Sequence, residues 1–146
     1  MKENIAPKWM EVRYPGPVRR VTIRWNGKKW TVEGQVVVND MTLPAPSQLP
    51  DGENSRGFWI EAYDNDGNIY YRQVITNPFL GMEQFSEKGY MYRLDHPPHD
   101  LTLEILIPGV AEISQLHVVD NTAGKNTHEH HATAHTGRTV LKLGRK

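Results

Sequence analysis

Along most of this chain apolar and polar residues alternate in short runs, and clusters of Gly, Pro, Asn and Asp separate the runs. One-for-one alternation marks a strand with one face buried and one face wet. The clearest case is VTIRWNGKKWTV, residues 21–32. Asn26-Gly27 is the dipeptide favoured in a two-residue type I′ hairpin turn, because both central residues need positive φ. Such a turn predicts Trp25 opposite Lys28, Ile23 opposite Trp30 and Val21 opposite Val32. Val21, Ile23, Trp30 and Val32 then share an apolar face, with Arg20, Thr22, Arg24, Lys29, Thr31 and Glu33 on the other. Gly34 is expected to mark a bulge or bend where the second strand continues.

Residues 42–57, rich in Pro, Ser, Asn and Gly, read as a long loop. FWIEAYDNDGNIYYRQVI, residues 58–75, reads as a second hairpin turning at Asp64–Gly67. With DNDG as the loop, Glu61 faces Tyr70, Ile60 faces Tyr71 and Trp59 faces Arg72. Aromatics on both faces suit a strand pair held between a core and another covering surface. A connection follows over 76–89, with one helical turn expected around Met82–Phe85. YMYRLD, LTLEILI, EISQLHVVD and RTVLKL supply the later strands, Pro108-Gly109 turning between the second and third of these. Eight or nine short strands and no amphipathic helix predict an all-β chain, an antiparallel β-sandwich of immunoglobulin-like type ahead of a barrel. A single domain is expected over 1–146, with a flexible stretch at 1–10 and a long His-rich loop at 121–137.

Composition narrows the reading. A chain of 146 residues with thirteen aromatics can bury a core without staples. Seventeen basic side chains balance seventeen acidic ones, so no overall field draws nucleic acid or a membrane surface. Zero cysteines exclude disulfides, thiol catalysis and thiolate metal sites. The opening MKENIAPKWMEV lacks the apolar stretch of a signal peptide, and VVV and ILI are far too short to span a bilayer. A soluble chain is expected, its compartment unknown. Nucleophile elbow, phosphate loop and dinucleotide fingerprint are all missing from the sequence, which favours a non-enzyme.

Candidate chemistry concentrates in HEHHATAH, residues 128–135, which holds four of the seven histidines. On a helix capped by Asn126 or Thr127, His128, His131 and His135 fall on one stripe; in an extended chain His128 and His130 share a face. His128, His130, His131 and His135 are therefore candidate ligands for Zn, Cu or Ni, with His96 or His99 added if the fold brings them near. The competing reading is a solvated loop, since no apolar residue larger than Ala lies between Asn121 and Gly137 and only Glu129 is nearby as a partner. No other cofactor is indicated.

Three further motifs fall away. DHPPHD (95–100) has the HP…H look of a superoxide reductase iron site but no thiolate to complete it. The HxH of 128–130 echoes a cupin motif without its glutamate. DNDG would suit a calcium loop, but Ala62 and Gln73 stand where oxygen ligands belong. Trp59, Tyr63 and Tyr70 remain as a candidate ligand-binding platform for sugar or peptide, against the plainer expectation that strand aromatics are core.

FWIEAYDNDGNIYYRQVITNPF and the later LTLEILIPGVAEISQLHVVD resemble the β-sandwich accessory domains of secreted bacterial proteins, such as the amino-terminal domain of IgA-peptidase-like (M64) metallopeptidases. The EAYDNDGN hairpin, the NPF after it and the late IPG carry the resemblance, over about residues 56–120. It implies a non-catalytic immunoglobulin-like module; HExxH does not occur, and no catalytic role carries over. The expected function is a non-enzymatic binding or assembly module that contacts protein or glycan through loops and edge strands, as a monomer or an oligomer. A small metal-binding protein using His128–His135 is the alternative.

Overall fold

The computed structural model describes residues 8–49, 55–76, 78, 83–85, 91–93, 100–121 and 137–144. In chain order these form a 3-10 turn at Lys8–Glu11 and then strands β1 (Gly16–Trp25), β2 (Trp30–Met41), β3 (Phe58–Tyr63), β4 (Ile69–Ile75), β5 (Glu83–Phe85), β6 (Met91–Arg93), β7 (Leu101–Pro108), β8 (Gln115–Asp120) and β9 (Gly137–Lys142). A three-stranded sheet runs β2-β1-β7 and a four-stranded sheet runs β4-β3-β8-β9, while β5 and β6 pair with each other. Every pairing is antiparallel.

The two larger sheets are joined by their apolar faces. Val21, Ile23, Trp25, Trp30, Ile105 and Ile107 of the first sheet belong to one buried cluster with Phe58, Ile60, Ala62, Tyr71, Leu116, Val118 and Leu141 of the second. The all-β antiparallel sandwich expected from strand spacing is the architecture adopted. Its strand order is not that of the immunoglobulin constant type, where the second strand lies between the first and the fifth and the fourth lies beside the fifth: here β1 lies between β2 and β7, and β4 pairs with β3 in the other sheet. Among the described residues no helix is long and apolar enough to cross a membrane.

The first hairpin keeps its predicted faces but not its register. Trp25 pairs with Trp30 and Ile23 with Val32, two residues away from the expected partners. Asn26 is the cause. Its side-chain oxygen accepts from the backbone N–H groups of Lys28 (2.9 Å) and Lys29 (3.0 Å), and its own N–H donates to the Lys29 carbonyl. The connection is thus four residues long, and only Gly27 of the Asn-Gly pair takes positive φ (94°), where a type I′ turn needs two. A slip of two preserves which side chains face inward, and it sets the Trp25 and Trp30 rings 5.6 Å apart. The expected irregularity at Gly34 is present, as a register shift where Thr22 pairs with Gly34 and Ile23 with Val32.

One other expectation is corrected. Of the helical turn expected around Met82–Phe85, Glu83–Phe85 form the strand β5 instead, Gln84 pairing across to Tyr92, and Met82 lies outside the described residues. Within the stretch 1–10 expected to be flexible, residues 8–10 lie in the 3-10 turn, tied by a Lys8–Glu11 ion pair and by the Val12 N–H donating to the Trp9 carbonyl.

Candidate binding site on the outer sheet face

The sequence FWIEAY alternates across β3. Phe58, Ile60 and Ala62 enter the core, so Trp59, Glu61 and Tyr63 point to the opposite, outer face. What stands opposite them is decided by Asp64. Its carboxylate accepts from the backbone N–H groups of Asp66 (2.9 Å) and Asn68 (2.8 Å) and from the Asn68 side-chain amide (2.8 Å). These bonds draw Asn68 into the turn, so Tyr63 pairs with Ile69 across a five-residue loop, 64–68. A bulge then follows, and Ala62 pairs with Tyr71. The register moves by two, placing Arg72 opposite Glu61 and Val74 opposite Trp59.

Tyr70 is the residue left over by the bulge. It joins the core cluster, its hydroxyl reaching Asp64 Oδ2 at 3.4 Å. The expected platform of Trp59, Tyr63 and Tyr70 is therefore not assembled: the first two share the outer face and Tyr70 does not.

Glu61 is the centre of the outer face. Its side chain is 1% exposed, yet it is flanked by two arginines. Oε2 accepts from Arg72 Nε (2.9 Å) and from the Trp59 indole N–H (3.1 Å). Oε1 accepts from Arg138 Nη1 and from the Tyr63 hydroxyl (2.9 Å). Burial on its own would raise the pKa of this carboxyl, but the bonds from Arg138 and Arg72 outweigh it and hold the group below its ordinary value. A carboxylate with both oxygens doubly bonded is ill suited to trade protons. It is well suited to fix the guanidiniums of Arg72 and Arg138 in place.

The surroundings complete the arrangement. Burial first, and the Glu61 charge second, push the Tyr63 phenol up to about 12, so it remains a donor to Glu61. His117, opposite Glu61 on β8, lies against the Tyr63 ring with centroids 4.2 Å apart. Burial and the neighbouring Arg138 push its pKa down to about 4. The neutral ring accepts at Nδ1 from Arg138 Nη1 (2.8 Å), which leaves Nε2 to donate to Gln115 Oε1 (3.1 Å). On the other side Arg72 stacks over the Trp9 ring, 5.7 Å from its centroid.

Above this floor lies a half-open cleft of about 380 Å³, lined by Gln48, Leu49, Trp59, Glu61, Tyr63, Arg72, Val119, Asn121, Gly137 and Arg138. Its size falls in the range of small-molecule sites. Gln48 and Leu49 wall one side because Ser47 before them is fastened to β4: its N–H donates to the Arg72 carbonyl (2.8 Å) and its hydroxyl accepts from the Val74 N–H (3.1 Å). Asn121 is held on the other side by reciprocal backbone bonds with Gly57, and its amide donates to the Ser55 carbonyl (2.7 Å).

Comparison with protein-family models, with curated proteins and with solved structures finds no match. The candidate site accordingly rests on its own geometry. Trp59 and Tyr63, singled out in the sequence, line the cleft, although Trp59 is only 2% exposed and contributes its N–H more than its ring face. The candidate metal ligands His128, His130, His131 and His135 lie outside the described residues, as do His96 and His99. Among the described residues no group of three or more His, Cys, Asp or Glu is placed to hold a metal. Sequence reasoning missed Glu61, Arg72 and Arg138. The available signal was Glu61 itself, an acidic residue in the middle of an otherwise apolar and aromatic strand.

Proposed function

We propose that this protein is a non-enzymatic binding module that engages a protein or glycan partner through the cleft on the outer face of its four-stranded sheet. The observation that carries the reading is the fully bonded Glu61 holding two arginines at the floor of a cleft of about 380 Å³. Such a floor presents fixed donors to an incoming group without a proton acceptor of matched pKa or a nucleophile, which suits recognition better than turnover. The loop residues Gln48, Leu49 and Asn121 that line the cleft fit the expectation that connections on a rigid sandwich carry the contacts. The resemblance to accessory domains of secreted bacterial proteins, which implies a non-catalytic module, is in keeping with this reading.

The test is a nitrogen–proton correlation spectrum of the labelled protein, titrated with a panel of monosaccharides, oligosaccharides and short peptides. The reading expects at least one panel member to shift the Trp59 indole N–H and the Arg72 and Arg138 Nε–H resonances in a saturable way, with the Ile60 and Leu116 amides unmoved. A panel that leaves all three side-chain resonances in place contradicts it.

A further inference from the structure

We infer that the cleft takes the carboxylate of an acidic sugar, gripped between Arg72 and Arg138; the inference rests on the binding-module reading and gives it a ligand class. The first argument is charge. Among the described lining residues those that ionise at neutral pH are Glu61, Arg72 and Arg138, one negative against two positive, a sum of +1. Neutral His117 adds nothing to that sum, since its depressed pKa keeps it unprotonated until well into acid.

The second argument is donor geometry. Arg72 spends Nε on Glu61, and Arg138 spends Nη1 on Glu61 and His117. Arg138 also bonds the Tyr63 side chain, so three acceptors share its five N–H groups, and among the described residues the Nη groups of Arg72 have no bonded acceptor. Two guanidiniums fixed by one carboxylate, each with donors to spare, suit a second, external carboxylate, which accepts through two oxygens in one plane. Lys would not do this, because an ammonium has no fixed fork.

The third argument separates a sugar from a peptide. The cleft floor is the face of a sheet, so its backbone groups are already paired along β4-β3-β8-β9. The neighbouring β4 edge is taken by Ser47 at Arg72 and Val74. An extended peptide would find no backbone ladder on that floor, which removes the main source of affinity in strand addition. What the walls offer instead are the Gln48 side-chain amide, the Asn121 side-chain oxygen left over from its bond to Ser55, and apolar surface from Leu49 and Val119. Scattered amide groups beside short apolar patches match the hydroxyls and ring carbons of a compact ligand.

The experiment is a set of titrations of the intact chain with glucuronate, glucose and N-acetylglycylglycine, read on the Trp59 indole N–H, and repeated with Arg138→Gln and Arg138→Lys. Circular dichroism and the unchanged Ile60 amide verify that each variant is folded. The inference expects glucuronate to bind at least tenfold more tightly than glucose or the dipeptide, and both variants to lose at least tenfold for glucuronate. Glucose binding as well as glucuronate overturns the carboxylate, and the dipeptide binding best overturns the sugar; in both cases the cleft remains a binding site and the function proposed above stands. Glucuronate binding unaffected by Arg138→Gln and Arg138→Lys overturns the assigned grip. No shift with any of the three overturns the inference, while the wider panel decides the parent reading separately.

Discussion

Strand β3 has two faces, both nearly out of water, and they are buried by different means. Phe58, Ile60 and Ala62 are covered by the apolar face of the other sheet, where close packing against Val, Ile and Trp side chains removes them from solvent. Trp59 and Glu61 are covered by Arg72, Arg138, Tyr63 and the segment around Ser47, through hydrogen bonds and ion pairs. The inner face stabilises the fold by transfer of apolar area from water. The outer face gains little by comparison, because desolvating a carboxylate and two guanidiniums consumes most of what their attraction returns. A structure that needed only stability would be served as well by apolar residues there. On the function proposed above, the polar face is a site built on a sheet whose other face already holds the molecule together.

Substitutions on the two faces should separate accordingly. The largest effect is expected from Ile60→Ala, which leaves a cavity at a fully buried core position and should cost about 3–4 kcal/mol in urea unfolding. Glu61→Gln should cost less, about 2–3 kcal/mol, since it leaves two arginines without their counter-charge but keeps shape and part of the hydrogen bonding. If Glu61→Gln proved the more damaging of the two, the contrast between a structural and a functional face would break.

Acid should act on the outer face. The Glu61 pKa is depressed in the fold and the His117 pKa falls from 6.5 to about 4, so in both cases the unfolded chain takes up its proton first. The His117 contribution is whole above pH 6.5 and is lost as pH falls toward 4; the Glu61 contribution is whole above 4.5 and is lost below that. Thermal melts between pH 7 and pH 4 should therefore show a smaller drop in Tm for His117→Asn than for the natural chain, and equal drops would contradict the placement of His117. Arg138→Ala should follow with about 1 kcal/mol, because Arg138 is 38% exposed and its ion pair is partly screened by water. Val140→Thr, at a side chain 48% exposed on the same sheet, should move the urea midpoint by less than about 0.5 kcal/mol.

The inner face was legible in the sequence because alternation encodes it directly. Val21, Ile23, Trp30 and Ile105 could be assigned to the core from period alone, and the sandwich follows from their number and spacing. The outer face was not legible, for a physical reason located in the turn. Asp64 and Asn68 lengthen the loop by one residue and the Tyr70 bulge adds another, and together they decide that Arg72 meets Glu61. Period-two patterning is blind to a slip of two, so it puts Trp59, Glu61 and Tyr63 on one face whatever the register and cannot say which residues stand opposite them. Asn26 produces the same slip in the first hairpin, where the outcome is a Trp25–Trp30 pair in the core. Arg138 comes from β9, far away in sequence, and no local signal connects it to Glu61.

The most direct test of this account is the urea unfolding midpoint of the triple variant Glu61→Leu, Arg72→Met, Arg138→Met, measured beside Glu61→Gln alone. If the outer face is a site and not a second core, the triple variant unfolds cooperatively with a midpoint at or above that of the natural chain, while the single variant falls well below it. A triple variant that loses as much stability as Glu61→Gln, or more, would show that the Glu61 network holds the fold and would contradict the account.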